Sequence, residues 1–433
     1  MQPFFMYKIL NPIVCYSLLV VLALFSTAIL AQNKPASKLL LHAARVFDGE
    51  RIRTDMSVTL KDGVIVTIQP RAQAIAGDDA LVMDLGDATI FPGFIELHAH
   101  LTYQNVPAEI VLRHGITTIR DLGGPVHAPY GGAGSLRVLT SGPIITAPGG
   151  YPIVTMGAEN LAIAVADEQE ARAAVKQLAE KGAVVIKIAL EPGGETGAPW
   201  TSHHHGHSHH PSHDTVNAGA HHHAAHGVQQ KHAGWPVLSA AVVKAIVDEA
   251  HRHDRKVSAH VAESVGVQIA LNAGVDEWAH MPCEPVPEVL LKQAVMQQVK
   301  IVSTIDTLSK CPGVMRNAAL WSALGGELLY GSEIAHPDVP WGINAQELMV
   351  MMQTGKLDQL DVIRAATSKA GRHLGLPLLG TLQPSAPADL IAFKGNPLLN
   401  LKRLEYPDLV ISGGYIIVNQ FDAARLFNLS PSK

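Results

Sequence analysis

The stretch FPGFIELHAH, residues 91–100, decides the fold because it joins a turn, a short apolar strand and two histidines. His98 and His100 are two apart on the predicted strand, so both side chains leave the same face of the pleat and can converge on one ion. Two hydrogen-bonded structural histidines are the alternative. The position of the pair at a strand end favours metal ligands, since barrel active sites lie at the carboxyl ends of the strands.

The chain beyond this stretch, from about Gly93 to Leu376, alternates short apolar runs with amphipathic stretches of helical period. That alternation is typical of βα units and of a parallel sheet. Eight strands are predicted: IELHAH (95–100), ITTIRDL (116–122), LRVLTSGPIIT (136–146), VVIKIAL (184–190), KVSAHVA (256–262), VDEWAHM (275–281), KIVSTID (300–306) and LLYGSE (328–333). The sequence therefore predicts the α/β class and a (β/α)8 TIM barrel over residues 93–378.

Three further polar residues fall within or near the ends of these strands. Lys187 lies inside VVIKIAL, where a buried ammonium is costly unless it is paired or chemically altered. His260 and His280 fall near the ends of the fifth and sixth strands. Each could be a satisfied core residue, but together with His98 and His100 they lie at matching heights, and neutral imidazoles are common ligands of catalytic zinc.

Both ends of the chain have a different pattern from the barrel region. Short Val/Ile-rich runs from Leu39 alternate with the turn signals Asp48-Gly49 and Asp62-Gly63, which predicts hairpins. A similar pattern returns in ADLIAFKGNPL and LVISGGYIIV. We therefore expect residues 38–92 and 379–430 to form one small β-sandwich domain, with the barrel inserted between its halves.

The first 31 residues are typical of a secretory signal peptide: Lys8, an uncharged apolar run from Ile13 to Leu30, then small residues. An uncleaved membrane anchor is the alternative, because the run is close to the lower limit for spanning a bilayer. The sequence thus predicts a periplasmic or secreted protein. Cys283 and Cys311 could pair in such a compartment, and two separate buried thiols are equally compatible with the sequence.

The composition excludes one class of partner. Of 433 residues 47% are hydrophobic and 16% charged, with a formal net charge of −5, and no Lys/Arg cluster provides the footprint of a nucleic-acid-binding protein. A small-molecule substrate is expected instead, with membrane contact only through an uncleaved signal segment. The oligomeric state is not predicted.

A low-complexity insertion, residues 201–232, interrupts the barrel after its fourth strand. It could be a plain polar loop, a pH-responsive segment, or a loop that collects zinc or nickel for the nearby site. We slightly favour metal collection. Its candidate ligands are His203, His204, His205, His207, His209 and His210.

In combination and order, the motifs resemble the amidohydrolase superfamily, particularly its imidazolonepropionase-like and Xaa-Pro dipeptidase-like branch. The matching stretches are FPGFIELHAH, HGITTIRDLGG, GPIITAPGGY, VVIKIAL, VSAHVAE, VDEWAHM, LGLPLLGTLQPSAPADLIAFKGNPL and LVISGG. The resemblance implies two divalent ions, usually zinc, one held by His98 and His100 and the other by His260 and His280. It also implies that Lys187 is carbamylated and bridges them, and that metal-bound hydroxide attacks a carbonyl carbon.

The sequence departs from that family at three positions. Glu333 stands where an Asp normally accepts the proton of the water, and it can act as base or ligand if its backbone is slightly withdrawn. Glu96 stands where Asp is usual, and its side chain is expected to point away from His98. Tyr151 stands where relatives often carry histidine near the substrate. His127, Tyr130, His336 and Trp341 are further, weaker candidates for substrate contact, while Asp389 is expected to lie in a turn outside the site.

These expectations predict an exported metal-dependent amidohydrolase that cleaves C–N bonds of amides, cyclic amides or small peptides. An Xaa-Pro-type dipeptidase, or an esterase or lactonase, would use the same site. A metal-binding or scavenging protein on an inactive barrel is the rival from another class, and Glu333 and the histidine-rich insertion are its support.

Overall fold

The computed structural model describes residues 38–195, 197–199 and 234–421. The predicted signal peptide, residues 1–31, and the candidate metal-collecting histidines of residues 201–232 lie outside these ranges. The predictions made for both segments stay predictions.

Strands from both chain ends form one sheet, as the sequence predicts. Its members are β1 (Lys38–Phe47), β2 (Ile52–Lys61), β3 (Val64–Pro70), β4 (Leu81–Asp84), β5 (Ala88–Pro92), β16 (Leu390–Lys394), β17 (Leu409–Ser412) and β18 (Tyr415–Asn419). The order is β18-β17-β16-β5-β1-β2-β3, with β4 pairing β1. The strands belong to a single sheet, and its division into the two layers of a sandwich stays a prediction.

The contact between the two chain ends is the antiparallel pair β5–β16, in register from Leu390 opposite Pro92 to Lys394 opposite Ala88. Every residue of β5 is buried. The β2–β3 hairpin turns at Asp62 and Gly63, with φ of 50° and 80°. Two consecutive left-handed residues suit a tight hairpin, and an Asp-Gly pair adopts them at little cost.

The barrel region contains parallel strands: β6 (Phe94–Ala99), β7 (Ile116–Asp121), β8 (Arg137–Thr140), β9 (Ile144–Thr146), β10 (Ala162–Ala164), β11 (Val185–Leu190), β12 (Lys256–Val261), β13 (Glu277–Trp278), β14 (Lys300–Val302) and β15 (Glu327–Leu329). They form a sheet β6-β7-β8 and a sheet β10-β9-β11-β12-β13-β14-β15. All eight predicted strands are present, but the third is split. Between β8 and β9, Ser141 N donates to Asp121 and the intervening Pro143 has no N–H to donate.

The two parallel sheets meet at both of their ends. Val184 N donates to the carbonyl of Thr140, which joins the end of β8 to the start of β11. On the other side, an isolated parallel bridge joins Ala99 at the end of β6 to Ile334, which follows β15. Within the described residues the strand order is therefore that of a barrel, although the ladders are not continuous around it.

The helices lie between the strands: α1 (Ala108–Arg113), α2 (Ile153–Met156), α3 (Glu168–Glu180), α4 (Ala240–Arg252), α5 (Ser264–Ala273), α6 (Glu288–Met296), α7 (Val314–Ala323), α8 (Ala345–Gly355), α9 (Gln359–Ala365) and α10 (Ser368–His373). Short 3-10 turns cover Arg71–Gln73, Pro397–Leu399 and Leu401–Glu405. In α3, the carboxylate of Asp167 caps the first turn. The buried residues of α3 recur at helical spacing, so one face packs on the strands.

A disulfide joins Cys283 to Cys311, two residues whose pairing the sequence leaves open. Cys283 follows β13 and Cys311 follows β14, so the bond connects the loops after consecutive strands. Among the described residues, no helix combines the length and the apolar character that crossing a bilayer requires.

Candidate metal centre

Two histidines of the first barrel strand meet a glutamate that follows the last one. His98 lies in β6, His100 is the first residue after β6, and Glu333 lies beyond β15. One ligand atom from each lies within 4.8 Å of the others. His100 N donates to Ile334 O at 2.9 Å, so the backbone itself brings the two strand ends together. The predicted pair of ligands and the predicted catalytic carboxylate therefore share one site.

His260 and His280 complete the cluster of imidazoles. The ring centroids of His98 and His280 are 4.3 Å apart, and those of His260 and His280 are 4.8 Å apart. His280 also faces the carboxylate, with its Nδ1 3.9 Å from Glu333 Oε2. Since β13 ends at Trp278, His280 lies in the loop and not on the strand, as does Glu333.

Lys187 lies in β11 and is 2% exposed. Its Nζ has no hydrogen-bond partner among the described residues. Burial lowers the pKa of Lys187 to about 7, while the charges of Glu277 and Glu333 oppose that shift. Lys187 is therefore buried, and no described residue hydrogen-bonds to its amine; its role as a ligand stays a prediction.

The donor atoms fit a cation. His98 Nε2 and Glu333 Oε2 are buried and, within the described part of the chain, also have no hydrogen-bond partner. Buried donors and acceptors without a hydrogen-bond partner are rare in proteins, and they usually contact a water or an ion or have a functional role. Imidazole and carboxylate are ligands that divalent transition metals accept. The residues present therefore suit a divalent metal ion.

Burial also keeps the imidazoles neutral. It lowers the pKa of His100 to about 3 and that of His260 to about 3, and the charge of Lys187 adds to both shifts. The pKa values of His98 and His280 are likewise held well below the ordinary value, first by burial. Neutral imidazole is the form that binds a metal ion. Burial raises the pKa of Glu333 to about 7, against the opposing charge of Lys187.

Two buried carboxylates fix the backbone around the first strand. Glu96 accepts from the backbone N of His98 and from both the N and the Oγ of Ser332, the residue before Glu333. Its structural role agrees with the sequence-based expectation. Asp121, at the end of β7, accepts from the N of Leu101 and from Thr102, directly after His100. The two carboxylates hold the loops that carry the candidate ligands.

The backbone is strained where the loops enter the site. Thr304 and Glu333 have φ of 41° and 62°, in the left-handed region that side chains other than glycine rarely adopt. Thr304 uses this conformation to place Oγ1 3.0 Å from His280 Nδ1. Strain of this kind persists only where the surrounding structure imposes it, and it concentrates at functional sites.

Sequence reasoning missed a buried ion pair below the histidines. Arg120 of β7 donates hydrogen bonds from both terminal nitrogens to the carboxylate of Glu277 in β13, at 3.0 and 2.6 Å. Both residues are at most 1% exposed. Ser258 and His373 also contact the Glu277 carboxylate. The sequence shows only that Arg120 lies in the apolar strand ITTIRDL and Glu277 in the strand VDEWAHM. Their positions along the chain do not indicate that the two side chains pair.

The weaker candidates for substrate contact separate into two groups. The ring of Tyr151 lies 5.0 Å from that of His260, at the centre, and stacks on Trp235. His336 and Trp341 line a neighbouring groove of about 520 Å³.

His127 contacts Tyr130 and the carbonyl of Ala128, and no contact links either ring to the histidine cluster within the described residues. Asp389 pairs with Arg137 outside the site, as expected.

This geometry, with parallel strands whose ends carry a histidine pair and a carboxylate, is that of an α/β protein with a candidate metal site. The model of the amidohydrolase family matches residues 89–419, and the chain belongs to that family. A stretch of 186 residues is 31% identical to ochratoxinase of Aspergillus niger and covers 39% of this chain and 38% of that enzyme. The chain thus matches about two fifths of the length of these curated relatives.

Solved structures extend the likeness to the whole fold. The crystal structure of A. niger ochratoxinase superposes with a TM-score of 0.67 at 19% identity, covering 89% of this chain and 96% of that one. A Xaa-Pro dipeptidase with bound methionine in its active site gives 0.66 at 21%, covering 88% and 99%. A putative prolidase from Bifidobacterium longum gives 0.68 at 22%, covering 92% and 100%. At these identities the likeness shows the fold, which is TIM-barrel-like.

Proposed function

We propose that this protein is an exported metal-dependent hydrolase that cleaves the C–N bond of amides, cyclic amides or small peptides. The observation that carries the proposal is the grouping of His98, His100 and Glu333 within 4.8 Å of one another. Buried atoms of His98 and Glu333 that have no hydrogen-bond partner among the described residues support it, because their lone pairs could bind a cation.

In this proposal His98 and His100 hold one zinc ion, and His260 and His280 hold a second. Lys187, once carbamylated by carbon dioxide, would supply a further anionic ligand, and the cost of burying its amine would be removed. Lewis acidity toward water and toward an amide carbonyl is the chemistry that divalent metal supplies when it is bound.

The proton transfers fall to Glu333. Its Oε1 lies 3.8 Å from His100 Nε2, and its carboxylate enters the centre from the strained loop after β15. In that position it accepts the proton of the attacking water and returns it to the departing nitrogen, as general catalysis of amide cleavage requires. Glu96 and Ser332 hold this loop against β6, so the carboxylate is oriented before substrate arrives.

The substrate class is proposed from the site and from the relatives. Tyr151, beside His260, and His336, in the adjoining groove, are the side chains proposed to contact a small amide or dipeptide. The similarity of this chain to an ochratoxinase and to a Xaa-Pro dipeptidase supports an amide or dipeptide substrate. An Xaa-Pro dipeptidase, an esterase or a lactonase activity of the same site is the alternative.

Elemental analysis combined with a substrate panel tests the proposal. Protein prepared without added chelator should hold about two zinc ions and hydrolyse members of a panel of dipeptides, N-acyl amino acids, cyclic amides and lactones. The matched control is the double variant His98→Asn/His100→Asn, which should lose one ion and all turnover. Metal without turnover on any panel member would favour the rival, a metal-binding protein on an inactive barrel.

Carbamylation of Lys187 has its own test. Protein loaded with zinc in ¹³C-bicarbonate should show one additional carbonyl resonance by NMR, which Lys187→Met should lack. The absence of that resonance from zinc-loaded wild-type protein would remove the carbamate from the proposal.

Export is proposed from residues 1–31, and the Cys283–Cys311 disulfide supports it because structural disulfides persist in oxidising compartments. The mass of the mature protein from fractionated cells tests it. Cleavage after Ala28 or Ala31 in a periplasmic or extracellular fraction is the expected result, and a full-length cytosolic protein would contradict it.

A further inference from the structure

Glu191 is a buried carboxylate directly after β11 to which the proposed reaction assigns no role. It is 1% exposed. Its Oε2 lies 3.2 Å from His260 Nε2, and its Oε1 accepts from Gly193 N at 2.8 Å. One oxygen contacts His260 of β12 and the other accepts from the backbone of its own loop, and the Glu195 side chain also hydrogen-bonds to Glu191, so the carboxylate is fixed in place relative to the histidine.

The contact with Glu191 determines which nitrogen of His260 faces the centre. A neutral imidazole has one N–H, and a carboxylate can only accept, so this contact places the proton on Nε2. Nδ1 is then the nitrogen that His260 would present to a metal ion. His98 has the opposite arrangement: its Nδ1 bonds to the carbonyl of Ala279 at 2.8 Å, and its Nε2 faces the centre.

Two aromatic neighbours restrict the plane of the His260 ring. The Tyr151 ring lies 5.0 Å from the His260 ring on one side, and the His280 ring lies 4.8 Å away at an interplanar angle of 76°. Ring contacts of this kind restrict the plane of an imidazole but do not distinguish its two nitrogens. Glu191 supplies that distinction.

We propose that Glu191 is a positioning residue that acts through His260. It holds the proton on Nε2, presents Nδ1 to the metal position that His260 shares with His280, and increases the affinity of that position. The inference rests on the proposed function, in which these two histidines bind the second ion. Hydrogen-bond partners of ligating histidines typically change metal affinity by about 10- to 100-fold.

Metal affinity gives the first test. In Glu191→Ala, competition with a chromophoric chelator should show one zinc ion held as in wild type and the other weakened by about 10- to 100-fold. Glu191→Gln, whose amide oxygen can still accept the hydrogen bond, should show a smaller loss. The matched control is Glu347→Gln, because Glu347 is also fully buried but accepts from the backbone N of Ile305 and Asp306 and contacts no candidate ligand. Both ions should bind to this control as they do to wild type.

The tautomer of His260 gives a second test that a general loss of packing would not reproduce. In metal-free protein labelled with ¹⁵N-histidine, the resonances of His260 are assigned by their absence from His260→Asn. Wild type should show the Nε2–H tautomer, and Glu191→Ala a mixture of both. Far-UV circular dichroism shows that each variant is folded.

The outcomes separate this inference from the proposed function. If Glu191→Ala keeps both zinc affinities and the Nε2–H tautomer of wild type, the role of Glu191 is wrong while the hydrolase proposal stands. If wild type binds no second ion, the two-ion centre is wrong, and retention or loss of the tautomer in the metal-free variant then decides alone whether Glu191 positions His260.

Discussion

At the scale of single residues, the candidate centre carries Glu333 at a position where the resemblance to the amidohydrolase superfamily leads us to expect an aspartate. The backbone at Glu333 is left-handed, with φ of 62°. Its carboxylate remains within 3.8–3.9 Å of two imidazoles. This position near two imidazoles is compatible with the proton transfers that we propose for Glu333.

Replacing Glu333 by Gln should reduce kcat by about 10²- to 10⁴-fold, because an amide cannot take the proton from water. Zinc content should stay at the wild-type level, since four histidines remain. Steady-state kinetics and elemental analysis on the same preparation measure both. Unchanged kcat would remove Glu333 from the mechanism, and Asp338→Asn serves as the control because Asp338 lies in the same loop but outside the grouped ligands.

The ligand residues were predictable from sequence, and their supporting residues were not. His98, His100 and Lys187 follow from strand period and from the cost of burying charge, which are local properties. The contacts of Glu191 and Thr304 depend on how loops after different strands approach each other. No spacing in the sequence encodes that approach.

At the scale of elements, three barrel strands are joined through the buried Arg120–Glu277 pair. Ser258 of β12 adds a hydrogen bond to Glu277 at 2.6 Å. Burial alone would raise the pKa of Glu277, but the charge of Arg120 and the His373 contact outweigh it, so the net pKa lies below its usual range. The pair is therefore a source of acid-sensitive stability.

Glu277→Gln should lower the free energy of unfolding by about 3–5 kcal/mol at neutral pH, because it leaves Arg120 charged and buried without its partner. The wild-type contribution is fully present above the unfolded pKa of 4.5 and is lost as pH falls from there toward the depressed folded value. Urea unfolding at pH 7 and at about pH 3 should thus show a smaller difference between variant and wild type in acid. An equal difference at both pH values would contradict this linkage.

Glu180→Gln, which breaks the exposed pair with Lys176, should change stability by less than about 1 kcal/mol at either pH.

The Cys283–Cys311 bond stabilises the loops beyond β13 and β14, one of which carries His280. Its 28-residue separation predicts a contribution of about 3.6 kcal/mol from restricting the unfolded chain. The double variant Cys283→Ser/Cys311→Ser should lose this amount in urea unfolding. Wild type in reductant should approach the same value, whereas reductant should leave the double variant unchanged. Equal stability of wild type and variant without reductant would contradict a structural role.

At the scale of the whole molecule, the pairing of both chain ends in one sheet was predicted, but the order of its strands was not. Repeating Val/Ile runs show which segments are strands. The placement of β16 against β5 depends on a contact across some 300 residues that local pattern does not specify.

Deleting residues 201–232 tests the accessory role proposed for the histidine-rich insertion. With excess zinc, the deletion variant should hold as much zinc in the centre as wild type. With limiting zinc it should hold less, because dense neutral histidines concentrate such ions. Elemental analysis at both concentrations measures this, with a Ser/Gly replacement of equal length as control. Full occupancy of the deletion variant under limitation would end the metal-collecting hypothesis.

The β5–β16 contact also bears on biosynthesis. Ribosomes add about 5–20 residues per second, so β5 would wait roughly 15–60 s for β16 to be synthesised. During that interval the sequence ATIFP, every residue of which is buried in the folded protein, presents an open strand edge, the kind of surface that nucleates aggregation. Molecular chaperones that shield nascent chains should therefore bind this protein at residues 88–92 until β16 has been synthesised and can pair with β5.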